Sequence, residues 1–296
     1  MSKPDIGIIG NGFVGNAVAF GFSSQCGFDA NIRIYDIDPL KSTHTLDQVC
    51  NESKFIFISV PTLNDNNGNI DLSVVNSVFH EINNINKRDD NYFLLRSTIV
   101  PSTTRGISNR YPDLNIIFNP EFLTERSSRL DFINQDRVIL GGDKINTSKV
   151  AELFNERFKY CHTIQTDYKT AELIKYLSNI FFAVKVSFVN EMKLVCDAVG
   201  ANWDTALEGF VADGRVGDSH LNVPGPDGKM GFGGSCFPKD INALISLAKD
   251  VGVDVNTIKG AWKTNLEVRP ERDWENLKGR AVIEDSVTKD RKEWVG

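Results

Sequence analysis

One cysteine, Cys236, ends the glycine-rich stretch GFGGSC and is followed by Phe, Pro, Lys and Asp. A helix is predicted to begin directly after it, and the first N–H groups and the dipole of a helix favour a thiolate. Lys239 adds positive charge, and Gly233 and Gly234 let a substrate approach the backbone closely. The pattern indicates a reactive nucleophile. The residues alone leave open an ordinary small apolar side chain packed under the loop.

A second candidate pair, Lys175 and Asn179, lies four residues apart in a long stretch, 167–199, without Pro or Gly. Residues with this spacing share one face of a helix. A lysine and an asparagine directed at one place can stabilise a developing oxyanion. A solvated helix face or a buried ion pair explains the spacing equally well. Apolar residues fall on more than one face of the stretch, which predicts a buried central helix.

The N-terminal segment predicts a dinucleotide site. Gly10, Gly12 and Gly15 form the pattern GxGxxG between an apolar strand, 6–9, and a helical pattern. Asp36 ends the next strand about twenty residues later, where an acid binds the ribose 2′-hydroxyl of NAD and disfavours the 2′-phosphate of NADP. The alternative is a glycine turn in an α/β protein that binds no nucleotide.

Further apolar segments predict the sheet that positions these residues. Strands at 55–60, 92–97, 115–118 and 138–140 alternate with helical patterns such as 72–85. The alternation predicts an α/β fold with a Rossmann-like doubly wound sheet. Because ligands bind beyond the carboxyl ends of such strands, three polar strand ends are expected around one crevice. These strand ends are Pro61-Thr62, Ser97-Thr98 and Asn119-Pro120-Glu121.

The second part of the chain is predicted to be mostly helical and built on the long central helix. Its further helices are predicted at 203–210, 238–251 and 254–276. The expected organisation is an NAD-binding domain at 1–166, a helical catalytic and dimerisation domain at 167–278, and a short tail at 279–296. The long central helix and the apolar helix at 255–268 are expected dimer surfaces.

Composition excludes several classes of protein. The 296 residues include 33 basic and 39 acidic side chains with no basic run, which argues against nucleic-acid binding. No apolar run reaches the length of a membrane span. The five cysteines form no CxxC or Cys/His cluster, so no metal site is expected. Their odd, sparse spacing is typical of a reducing compartment and predicts a cytoplasmic protein.

Several stretches together resemble one enzyme family, the UDP-glucose/GDP-mannose dehydrogenases. They run in order from about residue 5 to about residue 278 and are GNGFVG, ISVPT, STIVPSTT, NPEFLTE, AELIKYLSNIFFAVKVSFVNE and GFGGSCFPKD. The resemblance implies oxidation of the C6 alcohol of a nucleotide sugar to the uronate in two NAD-dependent hydride transfers. UDP-glucose, giving UDP-glucuronate, is the expected substrate.

The resemblance also implies roles for individual residues. Cys236 would attack the intermediate aldehyde to form a thiohemiacetal, which the second hydride transfer converts to a thioester that water hydrolyses. Lys175 and Asn179 would stabilise the oxyanions. Thr98, Glu121 and Glu125 would lie near the reacting centre. Glu121 or Glu125, and Asp240 through water, are the acid–base candidates, and the sequence does not rank them.

The binding residues implied by the resemblance form two sets. The cofactor set is Gly10, Gly12, Phe13, Val14, Gly15, Asp36, Pro61, Thr62, Ser97, Thr98, Glu125 and Lys239. The substrate set is Glu121, Phe122, Leu123, Lys175, Asn179, Arg215, Gly233, Gly234 and Cys236. Arg215 would reach the substrate across a subunit interface, so the expected assembly is a homodimer.

The sequence departs from the family pattern in two places. Family members usually carry a third domain that helps to hold the nucleotide, whereas here LKGRAV at 277–282 is followed by residues that do not match. The stretch VPGPDGKM also lengthens the loop before GFGG. Two alternatives therefore remain: a two-domain dehydrogenase acting on a smaller hydroxy acid, and a remnant that binds NAD without turnover.

Overall fold

The computed structural model describes residues 3–65 and 67–279. The chain divides into two compact units, of which the first comprises Met1–Thr62 and Asp71–Lys175 and the second Leu63–Ile70 and Tyr176–Gly296. The domain limits predicted from the sequence stay a prediction. From residue 280 onwards, the predicted tail lies outside the described residues.

The strands of the first unit form one sheet of seven strands in the order β2-β1-β3-β4-β5-β6-β7. Their bounds are β1 Asp5–Ile9, β2 Asn31–Tyr35, β3 Phe55–Ile58, β4 Tyr92–Leu95, β5 Asn115–Phe118, β6 Arg137–Gly141 and β7 His162–Thr166. The first five are parallel, β6 is antiparallel to β5, and β7 is parallel to β6. The carboxyl ends of β1, β3, β4 and β5 therefore meet at one edge.

In the described part of the chain, six α-helices connect these strands. They are α1 Phe13–Gly21, α2 Leu46–Glu52, α3 Ser73–Ile85, α4 Thr103–Arg110, α5 Ser128–Ile133 and α6 Lys144–Arg157. The central strands are apolar at nearly every position because both faces of the sheet are covered. Along β3, Phe55 and Phe57 enter one core cluster while Ile56 and Ile58 enter the other. The Rossmann-like doubly wound sheet predicted from the sequence is confirmed.

The second unit is helical, as predicted. Its helices are the main part of α7 Tyr168–Ala198, whose first eight residues belong to the first unit, followed by α8 Trp203–Val211, α9 Cys236–Asp250 and α10 Asn256–Val268. Ser187 on α7 donates a hydrogen bond to the carbonyl of Ala261 on α10 at 2.7 Å. The segment 63–70 joins this unit, since Asn64 donates to the carbonyl of Lys239 at 2.9 Å.

Two helix predictions are wrong in their limits. The helix expected at 254–276 ends at Val268, and a separate 3₁₀ turn follows at Asp273–Asn276. Pro270 explains the break, because proline disfavours a helical conformation in the residue before it and has no N–H to donate. The helix expected at 238–251 begins at Cys236 instead. Proline fits the first turn, where N–H groups have no helical partner.

The central helix was predicted to be buried, and one face of α7 is exposed in the single chain. Five large apolar side chains along one face of α7 are between 43% and 62% exposed, namely Leu177, Phe181, Phe188, Met192 and Val195. Val199, directly after the helix, is 72% exposed. Their spacing of 4, 7, 4, 3 and 4 residues keeps them on one side of a helix. We call this face the apolar stripe.

Candidate active site

The turn between β1 and α1 has the backbone geometry of a dinucleotide loop. Gly10 has a φ of +89°, and a Cβ there would lie 2.4 Å from the carbonyl oxygen of Ser59. At Gly15, a Cβ would lie 2.0 Å from the carbonyl oxygen of Gly10. A Cβ at Gly12, by contrast, would meet no protein atom within 4 Å. The first and third glycines permit close packing within the protein, and the second leaves space for an external group.

The residues around this turn fit a dinucleotide. Phe13 and Val14 start α1, which has no acidic residue in its first turn and no side chain capping it, so its N–H groups point to the space beside Gly12. Asp36 follows β2, and its carboxylate accepts hydrogen bonds from the N–H of Asn11 at 2.6 Å and of Asp38 at 2.9 Å. These bonds place one acidic group next to a helix N-terminus that favours phosphate.

Two more strand ends lie at the same edge of the sheet. The Ser97 hydroxyl, after β4, accepts from the N–H of Val60 at 3.1 Å and donates to the carbonyl of Val60 at 2.7 Å. These bonds join the ends of β3 and β4. Thr62 is buried, Pro61 is exposed, and Thr98 is half-buried.

The end of β5 carries a buried ion pair. Lys175 Nζ donates to the Glu121 carboxylate at 2.7 Å and to the Glu121 carbonyl at 2.6 Å. The two side chains are 4% and 7% exposed, so the pair is almost completely removed from water. The second carboxylate oxygen of Glu121 accepts the N–H of Leu123 at 2.7 Å.

Burial and nearby charges shift the pKa of Glu121 in opposite directions. Burial alone raises the pKa of a carboxyl, but Lys175, the Leu123 N–H and Arg96 outweigh it and hold the pKa of Glu121 below its ordinary value. Burial lowers the pKa of Arg96 to about 10, against a smaller opposing effect of Glu121. At neutral pH, Glu121 is therefore ionised, Arg96 is cationic, and Glu121 is a weak base.

The residues after Glu121 surround the lysine. The Phe122 ring lies 5.6 Å from Lys175 Nζ and 4.3 Å from the guanidinium carbon of Arg137, both within cation–π distance. Glu125 begins a 3₁₀ turn, Glu125–Ser127, and is exposed. Of the two glutamates offered as acid–base groups, one is thus buried in an ion pair and the other faces solvent.

Cys236 is the first residue of α9 and is partly exposed. The side chain of Ser235 does not cap the helix, and its hydroxyl lies 3.8 Å from the Cys236 sulfur. A thiol at this position experiences the positive end of the helix dipole and nearby N–H groups, which favour the thiolate. Its role as a nucleophile stays a prediction.

One turn further along α9, Asp240 lies buried with two partners. Asn179 on α7 donates to one carboxylate oxygen of Asp240 at 2.6 Å, and Lys239 Nζ lies 3.1 Å from the other. Asp240 is 0% exposed, and Asn179 and Lys239 are each 8% exposed. The second unit thus groups Asn179 of α7 with Lys239 and Asp240 of α9, the helix that begins with Cys236.

Three further residues were predicted to bind the substrate, namely Arg215, Gly233 and Gly234. Arg215 is exposed, and its guanidinium is paired with Asp213 at 2.5 Å on its own loop. Gly234 has a φ of +71°, and Gly233 packs against a buried arginine, Arg269. A role for Arg215 across a subunit interface stays a prediction.

Two buried charged side chains, Arg96 and Glu172, were not predicted as site residues from the sequence. Arg96 donates to Asn119, whose amide donates to the carbonyl of Ile139 at 2.8 Å. Glu172 accepts from the N–H groups of Ser102 at 2.6 Å and Thr104 at 2.8 Å, and so holds the start of α4. Arg96 did have a signal, because a charged residue ends an otherwise apolar strand. Glu172 had no signal in the sequence beyond its polarity.

The glycine turn at the carboxyl end of β1, followed by Asp36 after β2, defines a Rossmann-like dinucleotide-binding protein. Two models of one family match the chain. Residues 36–159 match the NAD binding domain of the UDP-glucose/GDP-mannose dehydrogenase family, and residues 169–267 match its central domain. The chain belongs to the UDP-glucose/GDP-mannose dehydrogenase family, and it carries that family's NAD-binding domain.

Individual proteins agree with the family match. The chain is similar to UDP-glucose 6-dehydrogenase of Rickettsia felis, with 35% identity over 77% of this chain and 51% of the relative. It therefore spans about half the length of that relative. Its fold is similar to a UDP-glucose dehydrogenase from Pyrobaculum islandicum, with a TM-score of 0.78, 24% identity, and coverage of 94% of this chain and 71% of the other.

A second fold similarity is to a protein with another substrate. The Mycobacterium tuberculosis 3-hydroxyisobutyrate dehydrogenase superposes with a TM-score of 0.73 at 14% identity, covering 92% of this chain and 95% of the other. This similarity concerns the fold alone. Among the residues that the structure describes, no helix combines the length and apolar character needed to span a bilayer.

Proposed function

We propose that the protein oxidises the C6 alcohol of a nucleotide sugar to the carboxylate with NAD, and that the sugar nucleotide is UDP-glucose and the product UDP-glucuronate. The observation that carries the proposal is the position of Cys236. It is a partly exposed thiol on the first residue of α9, and Asp240 lies one turn beyond it. An aldehyde has no hydride to lose until a nucleophile adds, and a thiolate supplies that nucleophile.

The proposed reaction has four steps. The alcohol loses a proton to a base and a hydride from C6, which gives the aldehyde. The Cys236 thiolate then adds to the carbonyl carbon, and the oxygen becomes a thiohemiacetal oxyanion. Loss of the second hydride from that carbon gives the thioester. Water attacks the thioester and gives its protons to a base and to solvent, and the carbon–sulfur bond breaks to release the carboxylate and the thiolate. NAD, when bound, accepts the hydride in each oxidation.

We assign the charge stabilisation to Lys175 and Asn179. Glu121 keeps Lys175 protonated in a buried place, because an ion pair favours the charged form of each partner. A preorganised ammonium in a dry site stabilises an oxyanion far better than one in water. Since Glu121 is a weak base in this pair, we propose that Glu125 or Asp240, through water, carries the proton transfers.

The predicted cofactor residues would act by placing hydrogen-bonding groups around the dinucleotide. The N–H groups of Phe13 and Val14 would bind the pyrophosphate beside Gly12, and the Asp36 carboxylate would bind the ribose hydroxyls. Thr62, Ser97 and Thr98 lie at the strand ends where the nicotinamide is expected.

Replacing Asp36 with alanine is expected to weaken NAD binding about tenfold or more, because hydrogen bonds to a charged group contribute roughly 1.5–3 kcal/mol. The preference for NAD over NADP should shrink, since the carboxylate no longer repels the 2′-phosphate. Calorimetric titration of both nucleotides measures the two affinities. Asp38→Ala, two residues further on, is the matched control. An unchanged ratio of affinities in Asp36→Ala would contradict the assignment.

We also propose a homodimer built on the apolar stripe of α7. Exposed apolar surface of this extent usually marks an interface. The other surface predicted from the sequence, α10, offers mostly polar groups at its exposed positions, including Lys259, Lys263 and Glu267. The stripe is therefore the better candidate.

Leu177→Asp is expected to convert the dimer to a monomer, because it places a charge in an apolar interface. Leu130→Asp is a close control, since both leucines are 61% exposed and Leu130 lies outside the stripe. Sedimentation velocity at micromolar concentration measures the mass. A monomeric parent protein, or a dimer that tolerates Leu177→Asp, would refute this interface.

Activity itself is tested by measuring NADH release with UDP-glucose, GDP-mannose and UDP-N-acetyl sugars. Oxidation of UDP-glucose to the acid with two NADH per sugar is the expected result. Preference for another nucleotide sugar would correct the substrate and keep the reaction class. Reduction of NAD without any nucleotide sugar would exclude the proposal.

A second candidate is a dehydrogenase acting on a small hydroxy acid. The observation in its favour is the fold similarity to the 3-hydroxyisobutyrate dehydrogenase, of which 95% is covered. Such a reaction ends at the carbonyl and needs no nucleophilic thiol. Full activity of Cys236→Ala on a hydroxy acid would support this candidate. Binding of NAD without turnover on any of these substrates would indicate a remnant.

A further inference from the structure

The segment that leads into Cys236 has little regular structure of its own. Residues 231–235 form bends and irregular structure directly before the start of α9. Buried backbone N–H and C=O groups in such a segment need partners, because an unpaired one costs as much as a lost hydrogen bond. The structure shows that side chains from two helices supply them.

Asparagines provide most of these partners. Asn265 on α10 accepts the N–H of Phe232 at 2.7 Å and donates to the carbonyl of Phe232 at 3.0 Å. Asn190 on α7 accepts the N–H of Gly231 at 2.9 Å. Asn265 is 0% exposed and Asn190 is 1% exposed. The backbone of Phe232 is thus held on both its polar groups by one side chain.

Arg269, directly after α10, is the third element of this support. Its side chain is 2% exposed and donates to the carbonyl of Met230 at 3.3 Å. The guanidinium also binds Asp273 through two nitrogens, at 2.6 and 3.0 Å, and Asp227 at 2.6 Å. Burial disfavours the charge, but the two carboxylates outweigh it and raise the pKa of Arg269.

The loop packs directly against this guanidinium. A Cβ at Gly233 would lie 2.4 Å from Arg269 Nη2 and 2.6 Å from the Asp273 carboxylate. A side chain at Gly233, three residues before Cys236, would displace the Arg269–Asp273 pair. Asp227 lies in VPGPDGKM, the stretch that lengthens the loop before the cysteine motif. The extra residues therefore contribute a carboxylate to the support.

We infer that Asn265, Arg269 and Asp227 are positioning residues, which fix the glycine segment and thereby the placement of Cys236 at the start of α9. The inference rests on the proposed function, in which Cys236 is the nucleophile. It adds a role for the end of α10 and for the additional loop.

Asn265→Ala removes both hydrogen bonds to Phe232 and tests the inference directly. We expect kcat for the complete oxidation to fall about 10²-fold, as expected when a reacting group is displaced by about 1 Å. NAD affinity should stay within error, since the predicted cofactor residues other than Lys239 lie in the first unit. The rate of Cys236 alkylation by iodoacetamide, followed by peptide mass spectrometry, should change in parallel with kcat.

Asp227→Asn is the second variant, because its carboxylate is half-exposed and the folded protein should tolerate the change. Glu271→Gln is its matched control. Glu271 pairs with Lys229 of the same loop at 3.2 Å, but both side chains are more than 40% exposed, and exposed pairs contribute little. Asp227→Asn should alter alkylation and kcat, whereas Glu271→Gln should leave both unchanged.

The two proposals fail in different ways. Alkylation at the parent rate in both Asn265→Ala and Asp227→Asn would overturn the positioning role, whatever the substrate is. If Asn265→Ala lost NAD affinity by the same factor as kcat, the positioning role would also be overturned. The effect would then be a general loosening of the protein. Complete oxidation by Cys236→Ser would instead refute the proposed function, and the alkylation result would still stand.

Discussion

Cys236→Ser is expected to stop the release of two NADH per sugar while the protein still folds and binds NAD. A serine hydroxyl stays protonated at neutral pH, so it does not add to the aldehyde as a thiolate does. The thioester, which carries the second oxidation, cannot form. The rate of acid formation should fall at least about 10³-fold, since loss of a catalytic nucleophile elsewhere costs up to about 10⁶-fold.

The measurement is the ratio of NADH released to sugar acid formed, with the product identified by mass. Cys26→Ser is the matched control, because Cys26 is also partly exposed but lies in the first unit, in a 3₁₀ turn. It should oxidise the sugar at the parent rate. Normal acid formation by Cys236→Ser would refute the thiol mechanism, and equal loss in both variants would indicate damage unrelated to the nucleophile.

Local patterns were sufficient to predict the architecture. Segments such as FIFI and YFLL are apolar at every position because helices cover both faces of their sheet. The GxGxxG turn, followed by Asp36, specified the loop and its acid from short-range spacing. Cys236 stood out for the same reason, since the glycines before it and the helix after it are adjacent in sequence.

The edge strand of the sheet and the direction of β6 were harder to predict. The strand His162–Thr166 was missed because HTIQT has one large apolar residue and no position that is fully buried. Such a segment carries little of the hydrophobic signal that identifies a strand. The reversal of β6 relative to β5 was not predicted because the length of a connection, not its apolar pattern, distinguishes the two directions.

Pairings between distant residues had no local signal. Glu121 and Lys175 are 54 residues apart, and Asn179 and Asp240 are 61 apart. The sequence identified all four as candidates, but only the structure shows which carboxylate holds which partner. Asn265 was not considered at all, because a buried asparagine in a polar helix resembles a solvated one.

Lys175→Met is expected to have the largest effect on stability. It leaves the Glu121 carboxylate buried without its main partner, and breaking a buried ion pair in this way costs about 3–5 kcal/mol. Lys149→Met is the control, because Lys149 forms an exposed pair with Glu152 at 3.1 Å, for which about 0–1 kcal/mol is expected. Urea unfolding of both variants measures the difference in free energy of unfolding.

The pH dependence of stability should reverse in this variant. In the parent, the pKa of Glu121 is lowered on folding, so its contribution is present above the ordinary carboxyl pKa of about 4.3. That contribution is lost as the pH falls through the folded value. Without Lys175, burial dominates and the pKa of Glu121 should rise. The free energy lost in Lys175→Met should therefore be smaller at pH 5 than at pH 8.

A double variant separates stability from catalysis. Lys175→Met with Glu121→Gln removes the buried charge as well as its partner, so much of the lost free energy of unfolding should return. Catalysis should not return, because the positive charge facing the oxyanion is still absent, and losing one such group costs roughly 10²–10³-fold in kcat. Recovery of both the free energy of unfolding and kcat would show that Lys175 only stabilises the fold. Recovery of stability alone would leave charge stabilisation as the function of the lysine, with Glu121 as the residue that keeps it protonated and in place.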